Sequence, residues 1–172
     1  MTKNRLIAFS SAIVMAAIAA TGANAAEPVY SAATKSYFQL VPARSDRPAP
    51  WNSARAQARG MVFNGVRGRL AVVNTFEAMK FVRDNFDIEG STWLGARYLC
   101  GLRKLFWENA KTQTSGDYAR WHEHWVASAR QCPQVGYMPL YLTAERRGLY
   151  WRASEPRQGF KYALVEFATG KE

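Results

Sequence analysis

The chain has 172 residues, 48% of them hydrophobic and 13% aromatic, with a formal net charge of +10 from 23 Lys and Arg against 13 Asp and Glu. No segment repeats, which excludes a repeat array, and no apolar block follows the first one, which excludes later membrane spans. The cationic excess favours anionic partners through long-range attraction, or serves solubility alone.

The first 25 residues read as an export signal and not as part of the fold. Lys3 and Arg5 form a basic start, residues 6–20 are an apolar run, and Ala23-Asn24-Ala25 supplies the small residues a signal peptidase accepts. The run is too short to span a bilayer, although an N-terminal anchor helix is the alternative reading. No cysteine follows the cleavage site, so a lipid anchor is not expected. The mature protein is expected to begin near Ala26, and residues 26–172 suit one domain with a proper core. Losing Lys3 and Arg5 lowers the charge by two. Outside the cytoplasm, phosphorylated or acidic envelope polymers replace nucleic acid as the expected anionic counterpart. Periplasm and outer surface follow equally from such a signal.

Residues 30–41, around Tyr37-Phe38, alternate weakly and read as a first strand. Residues 42–50 hold three prolines and several charges, a connecting loop. Trp51, Ala54, Ala58 and Val62 then recur at helical spacing, with Gly60 or Gly65 as the stop. After the short apolar run 70–73, Thr75 is placed to cap a second helix over residues 76–85, with Met79, Val82 and Phe86 on one face. Gly90 ends that segment, and residues 92–99 read as a strand centred on Trp93-Leu94-Gly95. From Cys100 to Cys132 the pattern becomes a long, aromatic and basic loop region. It keeps Phe106, Trp107, Trp121 and Trp125, which a disordered linker would not retain. Strands follow at residues 138–143 and 149–153, joined by a tight turn over 144–148, and at 162–168. Segregated helices and strands in this order give an α+β fold.

Cys100 and Cys132 are the chain's two cysteines. In an oxidising compartment an even number reads as one disulfide, worth roughly 3–4 kcal/mol in the chain-entropy model, with a pair of buried thiols as the alternative. No Cys-x-x-Cys spacing supports a redox-active pair.

Taken together, these pieces resemble the C-type lectin-like domain over residues 37–167. Trp51-x-x-Ala54 and Gly68-x-Leu70-Ala71-Val72-Val73-Asn74-Thr75 are similar to the family's first helix and the turn after it. Glu77 and Phe81-Val82 match its second helix, and Trp93-Leu94-Gly95 looks like its Trp-Ile-Gly strand. Phe106-Trp107, Tyr118 and Trp121 resemble the aromatic positions leading into its long loop. Trp151 stands where the family has the Trp of Trp-Asn-Asp, and Val165-Glu166 where it has Cys-Glu. The resemblance implies two helices, short antiparallel sheets and a long loop region at 100–132, with a core over residues 37–168. It also shows departures. Ala58 and Val165 occupy both halves of the family's helix-to-last-strand disulfide, so packing must replace that bridge. Nothing after Trp151 is cysteine, so a Cys100–Cys132 bond would pin the two bases of the long loop instead.

The family's sugar-binding members hold calcium through an acidic-Pro-amide triplet in the loop and the Asn-Asp after the strand tryptophan. Calcium needs six to eight oxygen ligands, and here the strand offers Arg152-Ala153, with no such triplet in the loop. Neither calcium, another metal nor a cofactor is expected. His122-x-His124 could point two imidazoles one way, but zinc needs at least one more ligand, and surface histidines are the plainer reading. No nucleophile stands in a recognisable context, so an enzyme is not expected. What remains is a binding surface. Trp107, Tyr118, Trp121 and Trp125 are amphipathic plates for a sugar face or a partner's apolar patch, or else core. His122, His124 and Trp125 are the freer to meet solvent. Around them stand Arg103, Lys104, Lys111, Arg120 and Arg130, with Arg146, Arg147 and Arg152 on the closing hairpin, able to grip phosphate or carboxylate. The expected function is an exported bacterial module that binds an anionic glycan or cell-envelope polymer without calcium. A protein-binding adhesin or envelope assembly partner is the alternative. Oligomeric state is left open.

Overall fold

The computed structural model describes residues 26–44, 47–122, 132 and 136–170. Strands β1 (Val29–Ser31) and β2 (Ser36–Pro42) open the chain as an antiparallel hairpin. The single strand expected over 30–41 is therefore two, folded back through a turn in which Lys35 takes φ of 51°. After β3 (Ala49–Pro50) comes helix α1 (Trp51–Arg59), which buries Trp51, Ala54 and Ala58. Val62 does not continue that face. It begins a small hairpin of β4 (Val62–Phe63) and β5 (Val66–Arg67) around Asn64-Gly65, and its side chain is exposed.

The short strand β6 (Arg69–Leu70) leads through buried Ala71, Val72 and Val73 to helix α2 (Phe76–Asn85). Thr75 caps α2 as expected: its Oγ1 accepts the Ala78 N–H at 3.1 Å. Met79 and Val82 are buried from that helix, while Phe86 lies just past its end and packs against the same core.

Strand β7 (Thr92–Leu99) matches the expected span, and β8 (Lys104–Trp107) pairs back on it inside what the sequence gives as loop. β9 (Tyr137–Glu145) and β10 (Gly148–Ala153) form the closing hairpin, Gly148 taking φ of 118° at the turn. β11 (Gly159–Phe160) pairs with β3, and β12 (Tyr162–Ala168) ends the order. One sheet runs β1-β2-β12-β7-β9-β10, with β6 also on β12 and β8 also on β7. Its β12–β7 contact is parallel and the remaining pairings are antiparallel. Among the described residues, two helices beside a mostly antiparallel sheet make this an α+β fold.

Two tryptophans tie α1 and the β3 segment to β7. Trp51 Nε1 donates to the Leu94 carbonyl at 2.7 Å, and Trp93 Nε1 donates to the Ala49 carbonyl at 2.8 Å. Between them Gly95 is backed by the main chain. A Cβ there would stand 2.2 Å from the Leu70 carbonyl oxygen, so only glycine lets the β6 segment approach this closely. On β12, Glu166 is buried and fully engaged. It accepts from Ser36 Oγ at 2.8 Å, the Val72 N–H at 3.0 Å and Arg69 Nε at 3.2 Å. Buried charge is tolerated in this way when ionic and hydrogen-bond partners surround it. Ala58 and Val165 lie in one buried cluster with Trp51, Leu70 and Phe167 and are held there by apolar packing. Cys100 and Cys132 are disulfide-bonded, their Cα atoms 5.6 Å apart. Among the described residues no helix is long and apolar enough to cross a membrane.

Candidate functional site

The alternation of β10 turns Leu149, Trp151 and Ala153 into the core and leaves Tyr150 and Arg152 half-buried on the other face. Trp151 is fully buried, and among the described residues three rings stand edge-on around it. The centroids of Trp107, Trp121 and Tyr118 lie 5.2, 5.7 and 5.8 Å away. Trp107 is only 3% exposed and its Nε1 donates to Gln113 Oε1 at 2.9 Å, so it is a core strand residue with no face left for a ligand.

The chain at 120–122 lies beside β10. The Trp151 N–H donates to the Arg120 carbonyl at 2.7 Å, and the His122 N–H donates to the Trp151 carbonyl at 3.0 Å. That pairing carries Arg120 and His122 to the same side as Tyr150 and Arg152. His122 is not the surface histidine the sequence suggests: it is 9% exposed. Its Nε2 lies 2.8 Å from Glu145 Oε2, and Arg152 Nη2 lies 3.1 Å from its Nδ1 and 3.2 Å from its Nε2. The tautomer with hydrogen on Nε2 donates to Glu145 and accepts from Arg152 at Nδ1. Arg152 also stands 3.4 Å from Glu145 Oε1, while its Nε is buried with no partner among the described residues. Arg152 is thus committed to a local network, and the charge at this strand end is largely balanced.

Beyond that network the hairpin turn is open and cationic. Arg146 and Arg147 are exposed. Arg120 lays its guanidinium 4.8 Å over the Tyr150 ring and donates from Nη2 to the Arg147 carbonyl at 3.4 Å. Among the described residues His122, Glu145, Arg146, Arg147 and Tyr150 line a cleft of about 560 Å³. Glu145 and Tyr150 are members of the site that the sequence reading does not put forward as binding residues, whereas Arg120 is among the basic residues it names. Period-two alternation along the hairpin would have put Glu145, Tyr150 and Arg152 on one face.

The candidates therefore separate. His122, Arg146, Arg147 and Arg152 meet at the hairpin end, with Trp121 packed beneath on Trp151. Tyr118 also touches Trp151, but it lines a different groove with Phe76 and Thr114. Burial raises its phenol above the ordinary value, the charges of Arg120 and Arg83 acting against that shift. Beside it, Asp117 is held below the usual carboxylate range, first by the Thr114 N–H at 2.6 Å and then by the Thr114 hydroxyl at 2.9 Å. His124, Trp125 and Arg130 lie outside the described residues. A cation placed between His122 and Glu145 would meet the Arg152 guanidinium, and among the described residues no three His, Cys, Asp or Glu side chains converge as a metal cage.

No family model matches the chain, and no curated protein matches it at a significant level. Solved structures do. The C-type lectin domain of murine dendritic cell inhibitory receptor 2, solved in complex with N-glycan, aligns at 14% identity and TM-score 0.55, covering 77% of this chain and 91% of that one. The C-type lectin CEL-I from Cucumaria echinata aligns at 11% identity and TM-score 0.58, over 79% and 92%. CEL-IV aligns at 15% identity and TM-score 0.54, over 80% and 90%. Identities this low speak to architecture alone. The chain has the C-type lectin-like fold.

Proposed function

We propose that the protein is an exported binding module that takes an anionic glycan or cell-envelope polymer, without calcium, at the β9–β10 hairpin end. The observation that carries this reading is the pair of exposed arginines, Arg146 and Arg147, at the mouth of the cleft lined by His122, Glu145 and Tyr150. Glu145, the acidic member of that cleft, is already met by Arg152 and His122, so Arg146, Arg147 and Arg120 supply the field an anion would meet. Arginine presents a planar fork that matches carboxylate and phosphate groups. Tyr150, with Arg120 stacked on it, adds an aromatic surface at the same place. Independence from calcium is supported by Arg152, whose positive charge the resemblance sets where calcium-binding C-type lectin-like domains have an amide or carboxylate. Glycan binding by a lectin neighbour of the same fold is consistent with this reading. Export rests on the first 25 residues, and the remaining chain, 26–172, is proposed to act as one domain.

The test is binding of the mature, disulfide-bonded protein to polygalacturonate and to wall teichoic acid, in chelator, across a salt series. Binding that persists in chelator and weakens steeply with salt supports the proposal, because exposed charge is screened within about 10 Å at 0.1 M. Binding that needs calcium, or that ignores salt, contradicts it. Absence of binding to every polymer shifts the weight to a protein partner.

A further inference from the structure

A second groove shares no lining residue with the first among the described residues. It lies between the start of α2 and the loop that follows β8. Two adjoining hollows of about 430 and 650 Å³ form it, and both are lined by Asn74, Thr75, Glu77 and Lys111. The second hollow carries Phe76 and Tyr118, whose rings meet edge-on at 6.3 Å.

Phe76 is 58% exposed at the first position of α2, a helix whose buried residues are Ala78, Met79 and Val82. Core packing therefore does not require an aromatic side chain there, yet one stands at the mouth of a polar hollow. The polar groups around it are of mixed kind: an amide at Asn74, a hydroxyl at Thr112, and opposite charges at Glu77 and Lys111. None of these four side chains is taken up by a hydrogen bond or ion pair among the described residues. The end of α2 is not itself the attraction. Thr75 Oγ1 already accepts the Ala78 N–H. With charges of both signs, this groove gives a polyanion little reason to settle.

We propose that this groove binds a neutral, hydroxyl-rich saccharide. Its apolar C–H face would lie on Phe76, and its hydroxyls would be shared among Asn74, Glu77, Lys111 and Thr112. Aromatic side chains offer large contact area at low conformational cost, and polar groups around them fix the ligand's orientation.

The experiment is a titration of the mature, disulfide-bonded protein with neutral chito-, malto- and laminari-oligosaccharides, followed by backbone amide chemical shifts. One of these series is expected to shift amides at 74–78 and 111–118, undiminished by chelator or high salt. Phe76→Ala should weaken that binding by about tenfold or more, as truncating an anchoring aromatic does. Asn74→Ala should also weaken it, while Arg146→Ala/Arg147→Ala leaves it unchanged. Phe76 is exposed, so its truncation should leave the fold intact, and the amide spectrum reports that directly. Shifts confined to 145–152, no shifts with any neutral oligosaccharide, or undiminished binding in Phe76→Ala would each overturn the proposal. Polyanion binding at the hairpin end stands or falls separately, because neither Phe76 nor Asn74 lines that cleft.

Discussion

The two halves of the β-sheet's chemistry contrast sharply. Around β7 and β12 buried polar groups are answered inside the fold: Trp51 and Trp93 donate to backbone carbonyls, and Glu166 accepts from Ser36, Arg69 and the Val72 N–H. At the end of β9 and β10, charge is instead gathered at the surface, with only part of it neutralised internally. The first region shows what holds the frame together. The second shows where a ligand can act without disturbing that frame. Variants in the frame should therefore move stability, and variants at the hairpin end should move binding.

The largest effect is expected at Gly95. A Cβ there meets the Leu70 carbonyl oxygen at 2.2 Å, and backbone cannot give way as a flexible side chain can. Gly95→Ala should cost about 3 kcal/mol, at the upper end of ordinary overpacking, in a urea denaturation. A loss near zero would mean that β7 and the β6 segment do not approach as closely as described. Next comes Glu166→Ala, which strips Arg69, Ser36 and the Val72 N–H of a shared acceptor and should cost about 3 kcal/mol. Neither variant, kept folded, should change polyanion affinity, since neither residue lines the cleft.

Glu145→Gln separates the two regions from the other side. It removes the carboxylate that faces Arg152 and His122 across partly exposed contacts, so stability should fall by less than about 1 kcal/mol. Polyanion affinity should rise by roughly threefold as the local field becomes more positive. A fall in affinity would show that Glu145 itself holds the ligand.

The smallest effect concerns Tyr118. Burial raises its phenol above the ordinary tyrosine value, so the folded state holds that proton more tightly than the unfolded one. The resulting stabilisation is fully present below the unfolded value and is lost as pH rises through the folded one. Comparing the chain with Tyr118→Phe across pH 9 to 11.5 should therefore show the parent losing its difference only at the alkaline end. Parallel curves throughout would place Tyr118 in a more open setting.

Much of the frame was legible because its signals are local. Thr75 ahead of an apolar face announces α2, and Trp93-Leu94-Gly95 inside a run of strand formers announces β7. Two of the misses share a cause. The β1–β2 turn passes through Lys35 at φ 51° and the β7–β8 turn through Arg103 at φ 52°, residues that do not advertise a left-handed backbone. Each hidden turn concealed a short strand. The β4–β5 hairpin is different, since Asn64-Gly65 is a readable turn signal, passed over because Val62 fitted the spacing of the helix before it. The site was only half legible. Arg146 and Arg147 stand out in the sequence, but the burial of His122 comes from the pairing of residues 120–122 with β10, which local pattern does not encode.

The most direct measurement is the affinity of the mature, disulfide-bonded protein for polygalacturonate and wall teichoic acid in chelator, set against that of Arg146→Ala/Arg147→Ala. Both side chains are exposed at the turn, so the double variant should keep its stability to within about 0.5 kcal/mol per site. An affinity reduced at least about tenfold, with a flatter salt dependence, is the result this account predicts. Unchanged affinity in the double variant, or binding that vanishes in chelator for the parent, would contradict it.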